Sequence, residues 1–373
     1  MNIVRFGDVA SRMNIHVDQE TTTLEYYIGG EHINSRDFMV HHKAPIKGST
    51  IGYQFQFGFE KRDILFMTKN PHLRKASMVD FNGLCSIATF VIRSNDESIL
   101  LQDYLLIEMQ SDRFWDYCEE HKSGGVNYFI NWGTLSNYEF PLPSLAEQKV
   151  LAEKLWAAYE VKQSYLKMIE ATEEMVKSQF VEMLKGKQPN GKIADLVDAD
   201  IKSVKKSYRL EDTIEYIDIS SINAINRTIS GTTSYIVQSA PSRAQQCVMF
   251  GDILVSTVRP INRNIAVVTK DLPNLVASTG FCVLRPKDSY KDYLLSIVMS
   301  DKYTQKMCDK ASGGLYPAVN NGDVLSYEIY LPDDDMVKKI SAIYNQADKS
   351  IFELRKSIDA IDKVIKSLIK ESL

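Results

Sequence analysis

Two polar loops, one in each half of the chain, carry side chains suited to reading nucleic-acid bases. The first, KNPHLRKAS at 69–77, holds Lys69, Asn70, Arg74 and Lys75; the second, VRPINRNIA at 258–266, holds Arg259, Asn262, Arg263 and Asn264. An arginine fork grips a guanine edge or a phosphate, and an asparagine amide pairs with adenine. Solvated hairpin ends are the structural alternative. Because Pro71 faces Pro260 and Arg74 faces Arg263 when the two halves are aligned, the recurrence favours function. A second pair, SGGVNYFIN at 123–131 and SGGLYPAVN at 312–320, sets Asn127, Tyr128, Asn131, Tyr316 and Asn320 beside double glycines that permit close backbone approach. Its structural alternative is a helix stop. Arg243 completes the candidate set.

Catalytic signatures are missing from the sequence. It contains no Walker loop, no G-x-G-x-x-G, no H-E-x-x-H, no G-x-S-x-G and no metal-spaced Cys/His set. Asn70-Pro71 lacks the second proline and the aromatic of an adenine methyltransferase motif. The adjacent His41 and His42 point to opposite sides of an extended chain and read as a solvated loop. Five cysteines without a C-x-x-C pair, most among apolar neighbours, read as reduced core residues of a cytoplasmic protein. No apolar run approaches a membrane span or signal peptide. The net charge of -4 does not announce a nucleic-acid binder, so any basic face must be local.

The elements that must position these loops recur at an offset near 189 residues. YYIGGEHIN at 26–34 faces EYIDISSIN at 215–223, RDILFMT at 62–68 faces GDILVST at 251–257, and SDR at 111–113 faces SDK at 300–302. Two copies of one module account for the sequence. Strands are expected at 24–28, 52–59, 64–68 and 86–92 with a helix at 100–121, then at 216–219, 253–258, 265–268 and 281–284 with a helix at 290–310. Each copy is α+β.

Each copy closes on a long helix. Ser144 and Glu147 form a capping box after PLP, and the seam Leu151, Leu155, Ala158, Lys162, Tyr165, Ile169, Thr172, Val176, Gln179, Met183 advances in coiled-coil steps until Gly186. A second seam runs through Ile340, Ile343, Ala347, Ile351, Leu354, Ile358, Ile361, Ile365 and Leu368, with Asp333, Asp334 and Asp335 suited to the positive end of the helix dipole. A rod of roughly 60 Å needs a partner. A globular part of about 15 Å radius of gyration spans that length poorly, so antiparallel pairing and a pseudo-twofold dumbbell are expected. The domains run 1–143, 144–186 (helix), 187–332 and 333–373 (helix).

The order GDILVST, VRP, LVASTGFCVLRP, SGGLYPAVN, LP and a heptad helix, together with PLPSLAEQKVLAEKL, resembles the DNA-specificity (S) subunit of type I restriction-modification systems. The resemblance covers nearly the whole chain, although LPDDDMVKKI lacks the E-Q and the first copy lacks VRP and STGF. It implies two target recognition domains, each α/β and each reading one half of a split DNA site, with the helices as spacer. It further implies a non-catalytic chain without its own cofactor. Two adenine methyltransferase subunits would bind S-adenosylmethionine, and restriction/translocase subunits would use ATP and Mg. The competing readings are a protein-binding scaffold and a fused nuclease or methyltransferase.

Overall fold

In a computed structural model, which describes residues 2–198, 200–224, 227–287 and 289–371, the chain forms two compact units. One comprises the residues up to Lys167 with those from Leu354 onward; the other is Met168–Glu353.

In the first unit the strands β1 (Ile64–Met67), β2 (Ala76–Met78) and β3 (Thr89–Ser94) form a sheet with Ala10–Met13, in which β1 lies between β3 and β2. The run ILFM does not alternate apolar with polar residues because both faces are covered. Ile64 and Phe66 enter the core shared with the helices, and Leu65 enters a second core under a five-stranded sheet. A strand buried on both faces is expected to be continuously apolar. That five-stranded sheet has the edge strands Ile15–His16 and Ala44–Pro45.

The helices α1 (Gln102–Met109) and α2 (Asp112–Glu120) cover the first core, where Phe66 stacks on Trp115 with ring centroids 5.6 Å apart. The single helix expected at 100–121 is therefore two. Ser111 breaks it, since its hydroxyl accepts the Phe114 N–H at 3.2 Å and caps α2. The strand expected at 86–92 is also two pieces, Gly83–Ser86 and β3, with a turn between them. The helix α3 (Leu145–Met183) follows, started by the expected capping box: the Ser144 N–H donates to Glu147 at 2.8 Å. Gln148 is fully buried; its oxygen accepts the Leu101 N–H at 2.9 Å, and its amide donates to the carbonyls of Ile99 and Pro143. The Glu-Gln of this segment is thus a cap followed by a staple.

The second unit repeats the plan with β4 (Ile253–Ser256) between β6 (Phe281–Pro286) and β5 (Ile265–Val267). Ile253 and Val255 face the helical core, and Leu254 faces the other core. A second four-stranded sheet ends at the edge strand Ala244–Cys247. The helix expected at 290–310 is again divided, into α4 (Lys291–Met299) and α5 (Asp301–Lys310), by Ser300 capping Tyr303. The last helix is α6 (Asp334–Glu371). Val337, at the place of Gln148, is buried, so an apolar contact replaces the polar staple.

The long helices pair within each unit. In the first, Leu155 and Tyr159 share a core with Ile365, and Lys162 donates to Asp362 at 2.6 Å; in the second, Phe180 shares a core with Ile340. Early α3 thus meets late α6 and late α3 meets early α6, so the pairing is antiparallel. Gln179 is exposed, and the larger, apolar Phe180 occupies the seam there. All five cysteines are free; Cys85, Cys118 and Cys282 are buried, and burial pushes the Cys85 and Cys282 thiols up to about 12. Among the described residues no helix is long and apolar enough to cross a membrane.

Candidate nucleic-acid interface

In each unit the two candidate loops are joined into one surface. Thr68, at the end of β1, donates its hydroxyl to the Ala88 carbonyl at 2.9 Å, and its own carbonyl accepts the Ile130 N–H at 3.0 Å. Thr257 does the same with Gly280 and Val319, both at 2.9 Å. The next pairing is Lys69 with Phe129 in one unit and Val258 with Ala318 in the other. The Asn70 N–H then donates to the Tyr128 carbonyl at 2.9 Å, as the Arg259 N–H does to Pro317 at 2.8 Å.

Both copies share an unusual backbone. Asn70 and Arg259 have φ of 53° and 49°, and Arg74 and Arg263 both have φ of 49°. Left-handed conformations are uncommon for residues other than glycine and cost free energy, so their recurrence marks a constrained loop. The turn opposite needs a true glycine: Gly124 has φ of 100°, and a Cβ there would lie 2.5 Å from the Asn127 carbonyl oxygen. The SGG segments therefore follow the helix ends and also build the hairpins that carry Tyr128 and Tyr316.

Arg74 and Arg263 are tethered to the first residue of the capped helix. Arg74 reaches Asp112 at 2.6 Å and Asp116 at 3.5 Å; Arg263 reaches Asp301 at 2.5 Å. The Asp301 side chain is 92% exposed, and exposed pairs contribute only about 0.2–1 kcal/mol. A bidentate base contact contributes roughly 1–3 kcal/mol, so a nucleic acid can outbid the tether. Arg263→Ala is expected to speed amide exchange in 259–263 at neutral pH with little change in melting temperature; unchanged exchange would show that the tether does not order the loop. The Arg263 hydrogen bond holds the Asp301 carboxyl below its usual range. This stabilisation is present above the unfolded pKa of about 3.9 and is lost as pH falls through the lowered folded value.

The remaining candidates divide by role. Lys69, Asn127, Tyr128, Arg259, Asn262 and Tyr316 are exposed. The Arg259 guanidinium lies 4.6 Å over the Tyr316 ring, and Lys122, which the sequence reading passed over, lies 4.4 Å over Tyr128. Lys75 donates to the Gly30 carbonyl at 2.6 Å. The side-chain oxygens of Asn131 and Asn320 accept the Thr134 and Asp323 N–H groups at 2.8 and 2.9 Å, capping short helices. The Asn264 carbonyl accepts the Ser256 N–H, and exposed Arg243 accepts the Thr279 N–H with its carbonyl at 2.9 Å. Among the described residues no group of three or more His, Cys, Asp or Glu could hold a metal.

Residues 16–169 and 189–362 each match the family described as the type I restriction modification DNA specificity domain. This chain belongs to that family. A curated relative, the type I restriction enzyme HindI specificity subunit of Haemophilus influenzae, is 30% identical over 139 residues, 36% of this chain and 30% of the relative. The match thus spans less than a third of that relative's length. Among solved structures, a chain from a study of type I R-M complex assembly and conformational transition is 18% identical, with a TM-score of 0.54 over 100% of this chain and 97% of that one. The S subunit of a type I restriction-modification system from M. genitalium is 13% identical, with a TM-score of 0.54 over 100% and 96%. Both share the fold. Specificity subunits of these systems are generally non-catalytic.

Sequence reading missed what supports the specificity domains from below. Asp63 and Asp252 are each 1% exposed and receive Arg93 and Arg285, with Nε to Oδ1 distances of 2.7 and 2.9 Å. Each also accepts a turn N–H, that of Glu60 at 2.7 Å or Met249 at 2.9 Å. The signal was present in the paired RDIL and GDIL, where an aspartate precedes a strand whose first three residues are buried in both copies.

Proposed function

We propose that this chain is the DNA-reading subunit of a type I restriction-modification complex, with one domain for each half of a bipartite duplex site. The supporting observation is the loop frame built twice with different tips. The left-handed positions, threonine anchors and hairpins coincide, whereas Asn70 is replaced by Arg259 and Tyr128 stands where Pro317 does. A common frame with unlike side chains suits two unlike half-sites.

The partners of such a chain would be two adenine methyltransferase subunits that grip the paired helices and bind S-adenosylmethionine, and restriction/translocase subunits that use ATP and Mg. The chain holds no cofactor itself and works in the cytoplasm. Exposed Val161, Leu166, Met168 and Met175 on α3 supply apolar surface for that grip. The purified chain is expected to transfer no labelled methyl groups to DNA alone and to support transfer only with its methyltransferase. Methylation by the chain alone overturns the reading. Binding that responds to neither salt nor sequence favours the protein scaffold.

A further inference from the structure

Each unit carries a short strap between its candidate loop and the long helix α3. In the first unit the strap is NSRDFMVH at 34–41, which runs along the outer edge of β2. Its Phe38 carbonyl accepts the Met78 N–H at 2.8 Å, and the Val40 N–H donates to the Met78 carbonyl at 3.0 Å. The Asp37 carbonyl accepts the Ser77 hydroxyl at 2.6 Å and the amide of buried Gln110 at 3.2 Å. At its start the strap grips the end of the 69–77 loop twice. The Arg36 N–H donates to the Arg74 carbonyl at 2.9 Å, and the Arg36 guanidinium meets at 2.8 Å the same Asp112 oxygen that Arg74 meets. Arg36 is itself left-handed, with φ of 54°, a backbone that persists where the surroundings over-determine it.

The next residue reaches α3. The Tyr159 hydroxyl donates to Asp37 Oδ1 at 2.5 Å, and His41 Nε2 lies 2.9 Å from that hydroxyl and 3.5 Å from the Asp37 carboxylate. Tyr159 is 4% exposed, and its ring packs on those of Phe38 and Trp156, with centroids 5.3 and 5.8 Å away. The polar tip of a buried aromatic needs a partner, and here the partner directly follows the residue that grips Arg74. The second unit builds its strap with different chemistry. Arg227 comes after Ile222-Asn223 as Arg36 comes after Ile33-Asn34, and it has the same φ of 54°. Thr228–Ile229 lies beside β5, the strand that returns from the 258–266 loop. Arg227 itself pairs with Glu173 of α3 at 3.2 Å, the two side chains being 25% and 26% exposed.

We propose that Asp37 and Tyr159 in the first unit, and Arg227 and Glu173 in the second, are positioning residues for sequence reading. They act through the loops rather than on the DNA, by holding each loop to α3 so that its arginine meets the half-site in one orientation. This rests on the DNA-reading function above. A bidentate contact to a base edge requires two donors aligned at once, whereas a phosphate accepts from many directions. A loop that drifts therefore loses discrimination between bases before it loses affinity for duplex.

The test uses Tyr159→Phe and Glu173→Gln in the chain bound to its methyltransferase, since each removes one polar tie and keeps the size of the side chain. Without DNA, amide exchange should quicken at 71–75 in Tyr159→Phe and at 259–263 in Glu173→Gln. In selection from a random duplex pool, discrimination at the half-site of the altered unit should fall about threefold, with the other half-site read as before. In an Arg74→Ala background Tyr159→Phe should change discrimination no further, because the residue it positions is gone; Glu173→Gln should behave likewise with Arg263→Ala. A tie that only stabilises the fold would cost the same in both backgrounds and at both half-sites. If the wild-type complex selects a sequence and the variants, folded by their melting curves, match it in loop exchange and discrimination, or lose equally in the two backgrounds, this proposal fails while the DNA-reading function stands. If the wild-type complex selects no sequence, both fall.

Discussion

Lengthening both long helices by one heptad is expected to widen the unread gap between the two half-sites by about 3 base pairs. Each helix is continuous, and each contributes one part to the first unit and the other to the second. Seven residues add about 10 Å at 1.5 Å per residue and preserve the apolar seam. At roughly 3.4 Å per base pair this corresponds to about 3 pairs. Insertion after Thr172 in α3 and at the facing level of α6 keeps the pairing of Phe180 with Ile340 and of Leu155 with Ile365. The duplex also turns by roughly 100° over 3 pairs, so affinity falls unless DNA twist compensates. Selection from a random duplex pool should return the same half-sites further apart. A variant that folds, binds specifically and still selects the original gap excludes the helices as spacer.

Asp252→Ala should be among the most destabilising single substitutions in the second unit. Its carboxylate is 1% exposed and takes both Arg285 contacts, at 2.9 and 2.7 Å, as well as the Met249 N–H. Removing it leaves a guanidinium that is 15% exposed without its main partner. Breaking a buried pair from one side costs about 3–5 kcal/mol. For a unit of this size that lowers the melting temperature by roughly 10 °C. Replacing both partners, Asp252→Ala with Arg285→Met, should recover much of the loss because no charge is left unpaired. A single variant that melts with the wild type would show that the pair is solvated in solution. Asp63→Ala should cost less, because Arg93 is 36% exposed and keeps Glu60 at 2.8 Å as a second partner.

Local and periodic features were legible in the sequence. The repeat, both long helices, the Ser144 cap, the buried RDIL and GDIL strands and the two loops at 69–77 and 258–266 are each set by neighbours a few residues apart or by a pattern visible twice. The Ser-Asp pairs that divide the helices at Ser111 and Ser300 were also visible, but propensity over the whole stretch outweighed them in a one-dimensional reading. Tertiary structure decided which partner each polar group found. Asp112 and Asp301 lie 38 residues beyond Arg74 and Arg263, and nothing local distinguishes a tethered arginine from a free one. The seam takes Phe180 rather than Gln179 because α6 presents Ile340 there, a packing choice with no local signature. Gln148 and Val337 hold corresponding places with opposite chemistry, since the first copy offers it the carbonyls of Ile99 and Pro143 and an N–H from Leu101. Periodicity determines which face a residue takes; the groups that await it on that face are supplied by distant chain, and only the folded structure brings them together.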